Sequence, residues 1–306
     1  RHGWRTPPLR AALLVDDPNL HAPSYGYLKY DVVAEHAERH NYHVAIATIP
    51  LDSWYTSSTA ARRFRERPDQ LSLLVHGNNH VRHELGRPLS EGEHIRVVSQ
   101  ALRRSNRLQN AAGVPVSKVM AAPHGRCSES AATALRRTGY EALCISRPYP
   151  WLAKPPEDRL LAGWHPAEMV AGGLPVLPRR KLGVDRDELV LQAWLGQPLV
   201  VYCHQEDVAG GLEPFAEVAE FVNSLGDVRW RSLKEITRSS TATRITAGEI
   251  DIQTFTRHLE VDLPAGVNRL LVTTPSIGGP VVPHRIRIDG ADFGAMKMAG
   301  APALGP

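Results

Sequence analysis

From residue 10 to about 237, short apolar runs that stop abruptly in polar or turn residues alternate with longer stretches of helical period. The runs predict strands at Ala11–Val15, His43–Ile49 (stopped by Pro50), Leu71–Val75, Lys118–Ala122, Ala142–Ser146 and Leu199–Cys203, with Arg229–Leu233 closing the pattern. The helical stretches are Tyr30–Arg39, with Val32, Val33 and His36 as its inner face, then Ser58–Arg67, a helix ending at Ala112 before Gly113, Ser128–Arg137 before Gly139, and Glu213–Leu225. Ser90 and Glu93 have the spacing of a reciprocal helix cap, which places the start of the third helix. Residues 147–187 are richer in proline and glycine and are expected to form long loops over a site. Repeated βα units of this kind predict a (β/α) barrel or a related parallel sheet.

The pattern changes at Thr241. Ile250–Ile252, His258–Asp262, Arg269–Thr273 and Arg285–Asp289 mostly alternate, and turn residues separate them, which predicts antiparallel β structure. Two units are therefore expected: 10–237, and a small β-rich segment at 241–306, either accessory or a truncated β-sandwich. A carbohydrate-binding role and a packing role are both open to it.

In parallel α/β proteins sites are assembled at the carboxyl ends of strands, so the residues that end each run carry the chemistry. Asp16-Asp17 ends the first run, and His76-Gly77-Asn78-Asn79-His80 ends the third. Each alone has an ordinary explanation, because aspartate caps helices and Gly-Asn marks turns. Together they supply two imidazoles and a carboxylate, a three-ligand set that leaves a divalent metal an open face, with the second carboxylate free to act as a base. Pro123-His124-Gly125 shapes a loop after the next strand. His204 ends the Leu199–Cys203 run, where a histidine opposite a metal and a base becomes a general acid.

Composition narrows the class. The 306 residues are 42% hydrophobic and 22% charged, which fits a globular protein with a sizeable core. A net charge of +4 and arginine doublets scattered mostly over helical stretches, Arg179-Arg180 among them, indicate solvated faces and no nucleic-acid partner. No apolar run approaches the roughly 20 residues that cross a bilayer. Cys127, Cys144 and Cys203 are odd in number without CxxC spacing, so neither a disulfide framework nor a structural zinc site is expected. The chain opens on Arg1 without a legible signal peptide, as in a fragment or a processed form.

The ordered set resembles the polysaccharide deacetylases, carbohydrate esterase family 4 and its relatives. Their motifs are an Asp-Asp pair, His-x-x-x-His, an Arg-x-Pro-x-Gly loop and a late strand ending in histidine. Asp16-Asp17, His76 to His80, Ala121-Ala122-Pro123-His124-Gly125 and Leu199 to His204 stand in those places, over residues 10–237. The resemblance implies a distorted (β/α) barrel, one divalent metal (zinc first, with cobalt, nickel, manganese or iron possible) and removal of N-acetyl groups from an acetylated amino-sugar polymer or oligosaccharide. It further implies Asp17, His76 and His80 as metal ligands, Asp16 as general base and His204 as general acid, with Pro123, His124 and Gly125 at the substrate. An extracellular or cell-envelope setting follows from the family's usual polymeric substrates.

Two departures stand out. The motif arginine falls on Ala121, and the family's later Asp-x-x-Asp-Trp falls near Arg147-Pro148-Tyr149-Pro150-Trp151, which keeps only the tryptophan. Arg147 is the expected replacement for the missing cation, and Trp151, Trp164 and His165 are expected walls of the acyl pocket. Three other readings are open: hydrolysis of a cyclic imide, ureide or other small amide on the same barrel; the facial triad of a non-haem iron oxygenase, against which the βα alternation argues; and a non-catalytic carbohydrate-binding protein. A long open groove with stacking aromatics would favour the polymer, and a closed pocket the small amide.

Overall fold

The computed structural model describes residues 3–146, 166–171, 173–246, 248–259, 266–267, 269–274, 284–288 and 291–296. Strand β1 (Leu9–Asp17) leads through a hairpin, β2 (Ser24–Tyr25) and β3 (Leu28–Lys29), into helix α1 (Tyr30–His40). There follow β4 (Val44–Thr48), α2 (Ser58–Glu66), β5 (Leu71–His76), α3 (Glu91–Ala112), β6 (Val116–Ala121), α4 (Glu129–Thr138) and β7 (Ala142–Ile145). After them come β8 (Glu168–Val170), β9 (Leu174–Pro178), β10 (Arg180–Lys181), α5 (Arg186–Leu195), β11 (Leu199–Cys203), α6 (Glu213–Ser224), β12 (Val228–Trp230) and α7 (Leu233–Arg238). Apart from the β2–β3 hairpin, these strands form one curled sheet in the order β10-β11-β1-β4-β5-β6-β7-β9-β8, with β12 also on β1. All its pairings are parallel except β8 on β9.

The two ends of the sheet meet through the chain itself. Strand β9 pairs with β7 and β10 pairs with β11, and only Arg179 separates β9 from β10. The distorted barrel is thus closed at that seam by covalent continuity, with Arg179 at the joint.

Strand parity decides what enters the barrel. Ala12 and Leu14, Ala45 and Ala47, Leu74, Val119 and Ala121, Ala142 and Cys144, Leu177 and Val200 form the buried interior, plugged by Leu233 and Ile236 of α7. Many of these are alanine, so the barrel is narrow and its upper layer lies close to all strands. The same parity carries Asp16, His76, Arg179 and His204 to the carboxyl end of that interior. The opposite faces pack on the helices, Leu13, Val15, Val44 and Ile46 with Val33, Ala34 and Ala37 of α1 among them.

Local signals explain most element ends. Ser90 and Glu93 form the reciprocal cap, with Glu93 N donating to Ser90 Oγ at 3.3 Å and Ser90 N to Glu93 Oε2 at 2.8 Å. Gly113 ends the helix at φ +64°. Four expectations need correction. On α1 the inner face is Tyr30, Val33, Ala34 and Ala37; Val32 is 44% exposed, and His36 sits at the rim with Nδ1 2.8 Å from Tyr42 Oη. Residues 168–181, expected as loop, hold β8, β9 and β10, because Leu174–Leu177 is an apolar run whose one proline, Pro175, is tolerated beside an edge strand. Arg229–Leu233 is not one strand: Ser232 and Glu235 form a second reciprocal cap that starts α7 at Leu233. A fourth correction concerns the tail.

That tail holds a three-stranded sheet of β13 (Thr241–Thr246), β14 (Glu249–Thr254) and β15 (Arg269–Thr273), and a pair, β16 (His284–Ile288) and β17 (Ala291–Met296). Antiparallel structure is expected throughout, but β15 runs parallel to β14; the connection between them is long enough to return to the same end. His258 and Leu259 lie outside any strand, and Val261 and Asp262 lie outside the described residues. Contacts tie the small sheet to the barrel: Phe255 and Ala242 pack with Trp4 and Ala167, and Arg257 donates to the carbonyls of Arg136 and Tyr140 at 2.8 and 2.7 Å. Among the described residues no helix is long and apolar enough to cross a membrane.

Candidate metal centre

Strand β1 delivers two adjacent carboxylates into different surroundings. Asp16 continues the interior parity of Ala12 and Leu14, and its side chain is 3% exposed. Asp17 turns out of the strand at φ +84° and is 26% exposed. Its Oδ1 lies 3.3 Å from His76 Nε2 and 3.2 Å from His80 Nε2. One potential ligand atom from each of these three residues lies within 4.8 Å of the others, the spacing of donors around a common ion.

Each candidate ligand is held. His76 ends β5, and its Nδ1–H donates to the Ala121 carbonyl at 3.0 Å, which turns the Nε2 lone pair toward Asp17. His80 has φ +55° in a loop fixed by Glu84, whose buried carboxylate accepts from the backbone N–H of Asn78 (2.7 Å), Asn79 (2.9 Å) and His80 (3.2 Å). Gly77 is required here: at φ +61° a Cβ would lie 2.5 Å from Pro123 Cγ and 2.6 Å from Glu84 Oε2. Among the described residues six non-glycine residues have positive φ, and Asp17, His80, His83 and His124 among them surround this centre. Strain of about 1–3 kcal/mol apiece persists only where the surroundings enforce it, as at ligand-binding sites.

The electrostatics suit a cation. Burial alone would raise the Asp17 carboxyl, but the close approach of His76, and behind it His80 and His204, outweighs burial and holds the group below the usual carboxylate range. Its Oδ1 is buried without a partner that satisfies hydrogen-bond geometry. Such an orphaned oxygen between two imidazole nitrogens fits a divalent ion.

Asp16 has another partner. Arg179 Nη1 donates to its Oδ1 at 2.7 Å, while Nε donates to Ser146 Oγ at 3.2 Å and Nη2 to the Ala122 carbonyl at 3.1 Å. The guanidinium also sits 4.3 Å from the Tyr202 ring centroid. Burial opposes its charge, yet Asp16 first, then Cys144 and Tyr202, raise its pKa above the ordinary value. In register Val15 faces Cys203, so His204 follows on the strand beside Asp16; its backbone N–H donates to Asp207 Oδ2 at 2.9 Å, and its imidazole is half-buried.

Pro123 and Gly125 are buried under the centre, and His124 is exposed with its ring 5.0 Å from that of His80. Arg147, Trp151, Trp164 and His165 lie outside the described residues. Arg179 at the barrel seam gives Asp16 a cation, so of the doublet Arg179-Arg180, read from sequence as solvated, the first residue is buried in the interior. The signal that could have found Arg179 is its place two residues past the apolar run Leu174–Leu177, with the parity of Leu177. Glu84 carried no such signal.

A candidate polysaccharide deacetylase from Mycobacterium smegmatis superposes with a TM-score of 0.52 at 14% identity, over 76% of this chain and 90% of its own. The fold is that of the polysaccharide deacetylases. A family 4 carbohydrate esterase from Streptomyces lividans, solved with acetate, is a more distant match, with a TM-score of 0.44 at 12% identity over 74% of this chain and 93% of its own. No protein-family model and no curated protein matches the sequence. Ala121 lies in the buried interior, and Arg179 reaches the carbonyl of the next residue, Ala122, at 3.1 Å.

Proposed function

We propose that the protein is a metal-dependent hydrolase that removes N-acetyl groups from an acetylated amino-sugar polymer or oligosaccharide. The observation that carries this reading is the division of labour between adjacent aspartates: one faces the Nε2 atoms of two imidazoles, and the other is locked to a buried arginine, with its Oδ1 3.9 Å from the opposite ring nitrogen, Nδ1, of His76. Paired carboxylates with separate environments are what a ligand and a base require. Asp17, His76 and His80 would hold the ion, zinc first among the candidates, which would supply Lewis acidity toward an amide carbonyl and toward water.

Asp16 then takes a proton from the attacking water. Arg179 occupies its Oδ1, so Oδ2, which has no hydrogen-bond partner among the described residues, is the accepting oxygen. An amide nitrogen leaves only when protonated, and His204, on the strand beside Asp16, gives that proton. The two groups start in opposite protonation states and end exchanged.

Open aromatic surface beside the centre favours a sugar chain over a small amide. Trp54 and Tyr55, 72% and 51% exposed, follow β4, and with His21 they form a cluster with ring centroids 4.7–6.0 Å apart. This loop joins the His76–His80 loop where Leu51 N donates to the Asn78 carbonyl at 2.9 Å. Exposed aromatic faces of this kind suit the apolar faces of pyranose rings. An extracellular or envelope setting, where such polymers occur, is part of the proposal. Its test is acetate release by the zinc-loaded protein from N-acetylglucosamine oligomers and from a small N-acetyl anilide. We expect release from the oligomers, and a KM raised about tenfold in Trp54→Ala for the oligomers alone, equal to about 1.4 kcal/mol. Turnover of the anilide only, unchanged in Trp54→Ala, would contradict the sugar reading.

A further inference from the structure

The rim of the centre is chemically two-sided. On the side of β4 and β11 lie the aromatic cluster and two acids, Asp52 and Glu206, whose charges together with that of Asp17 raise the Tyr25 pKa behind its larger desolvation. On the side of β5 and β6 a continuous row of rings leads outward, His76 to His80 at 4.9 Å, His80 to His124 at 5.0 Å and His124 to His83 at 5.3 Å. That row ends among exposed arginines.

Arg82 and Arg126 stand on the two loops that flank His83 and His124. The loops touch: a Cβ placed on Gly86 would lie 3.2 Å from Arg126 Cβ. Elsewhere on the surface Arg137 pairs with Glu91 and Arg67 with Glu38. Among the described residues neither Arg82 nor Arg126 has an ion-pair partner or a side-chain hydrogen bond. His83 Nδ1 is buried without a hydrogen-bond partner. Desolvation first, and then the charges of Arg126, His124 and Arg82, hold His83 below the ordinary histidine range, so the local field is positive and uncompensated.

We propose that the substrate carries an anionic group, a carboxylate or a phosphate ester, that docks on Arg82 and Arg126 on the β5–β6 side of the rim. Guanidinium groups bind both anions through paired N–H donors. The position, beyond His124 and outside the metal ligands, suits a charged group on the sugar unit being cleaved or on its neighbour. This rests on the deacetylase reading for the sugar, but not for the anion.

The test compares three sugars that differ at one carbon: N-acetylglucosamine, its 6-phosphate and its C6 uronic acid. Binding to the zinc-loaded protein is measured by calorimetry at low and high salt, and acetate release is followed in the same samples. The expected result is about tenfold tighter binding of at least one anionic sugar over the neutral one, a gap that closes at about 1 M salt and in the double variant Arg82→Gln/Arg126→Gln. Which anionic sugar gains identifies carboxylate or phosphate. Equal affinity for all three, or a preference that survives in the double variant with its metal content intact, would overturn the proposal. Anion preference without acetate release from any sugar would sink the deacetylase reading and leave the anion site standing.

Discussion

Arg179→Met is expected to destabilise the protein by about 3–5 kcal/mol, because it leaves the buried Asp16 carboxylate without its cation. Both side chains are almost wholly covered, at 1% and 3% exposed, so water cannot take over the lost interaction. The same substitution also frees Ser146 Oγ and the Ala122 carbonyl at the seam where the barrel closes. A drop in thermal midpoint on the order of 10 °C follows. Arg179→Lys keeps the charge but not the three-way fork, and should lose less. Removing both charges in Asp16→Asn/Arg179→Met should recover part of the stability, because deleting a buried pair costs less than breaking it. A single variant that unfolds within 1 kcal/mol of wild type would show that the pair is not the interior anchor described above.

The second large effect separates the two aspartates. Asp16→Asn keeps an oxygen for Arg179 Nη1 but cannot accept a proton, so turnover should fall by about 10²–10⁴-fold, the usual worth of a positioned base, with zinc affinity retained. Asp17→Asn removes the carboxylate that faces His76 and His80, and here zinc affinity itself should fall. Titrating both variants with zinc and following acetate release gives the answer. Equal zinc affinity in the two would refute the assignment of ligand and base.

How far the sequence reached differs between the barrel and its interior chemistry. Apolar runs with abrupt polar ends located β1, β4, β5, β6, β7 and β11, because strands buried on both faces have no other way to read, and the Ser90–Glu93 cap located α3. Prolines hid β9, which is a strand only because its neighbours supply the hydrogen bonds. Asp17 and His76 were legible since each ends a strand, and His80 through its spacing of four from His76, and the structure brings their atoms together. Arg179 was not: it serves Asp16 across 163 residues and across the barrel, a partnership set by how the sheet curls rather than by local pattern. Glu84 was hidden for a related reason, since a carboxylate that binds backbone N–H groups leaves no partner residue to recognise. The direction of β15 was equally out of reach, because alternation reports that a strand has two faces and not which way its neighbour runs.

The central claim is that Asp17, His76 and His80 form a metal centre. Its most direct test is elemental analysis of the purified protein beside His80→Ala, each also after incubation with zinc and removal of excess. About one equivalent of zinc or a similar divalent ion per chain, lost in the variant, is the predicted result. No metal as purified and none taken up, or equal uptake by His80→Ala, would contradict it.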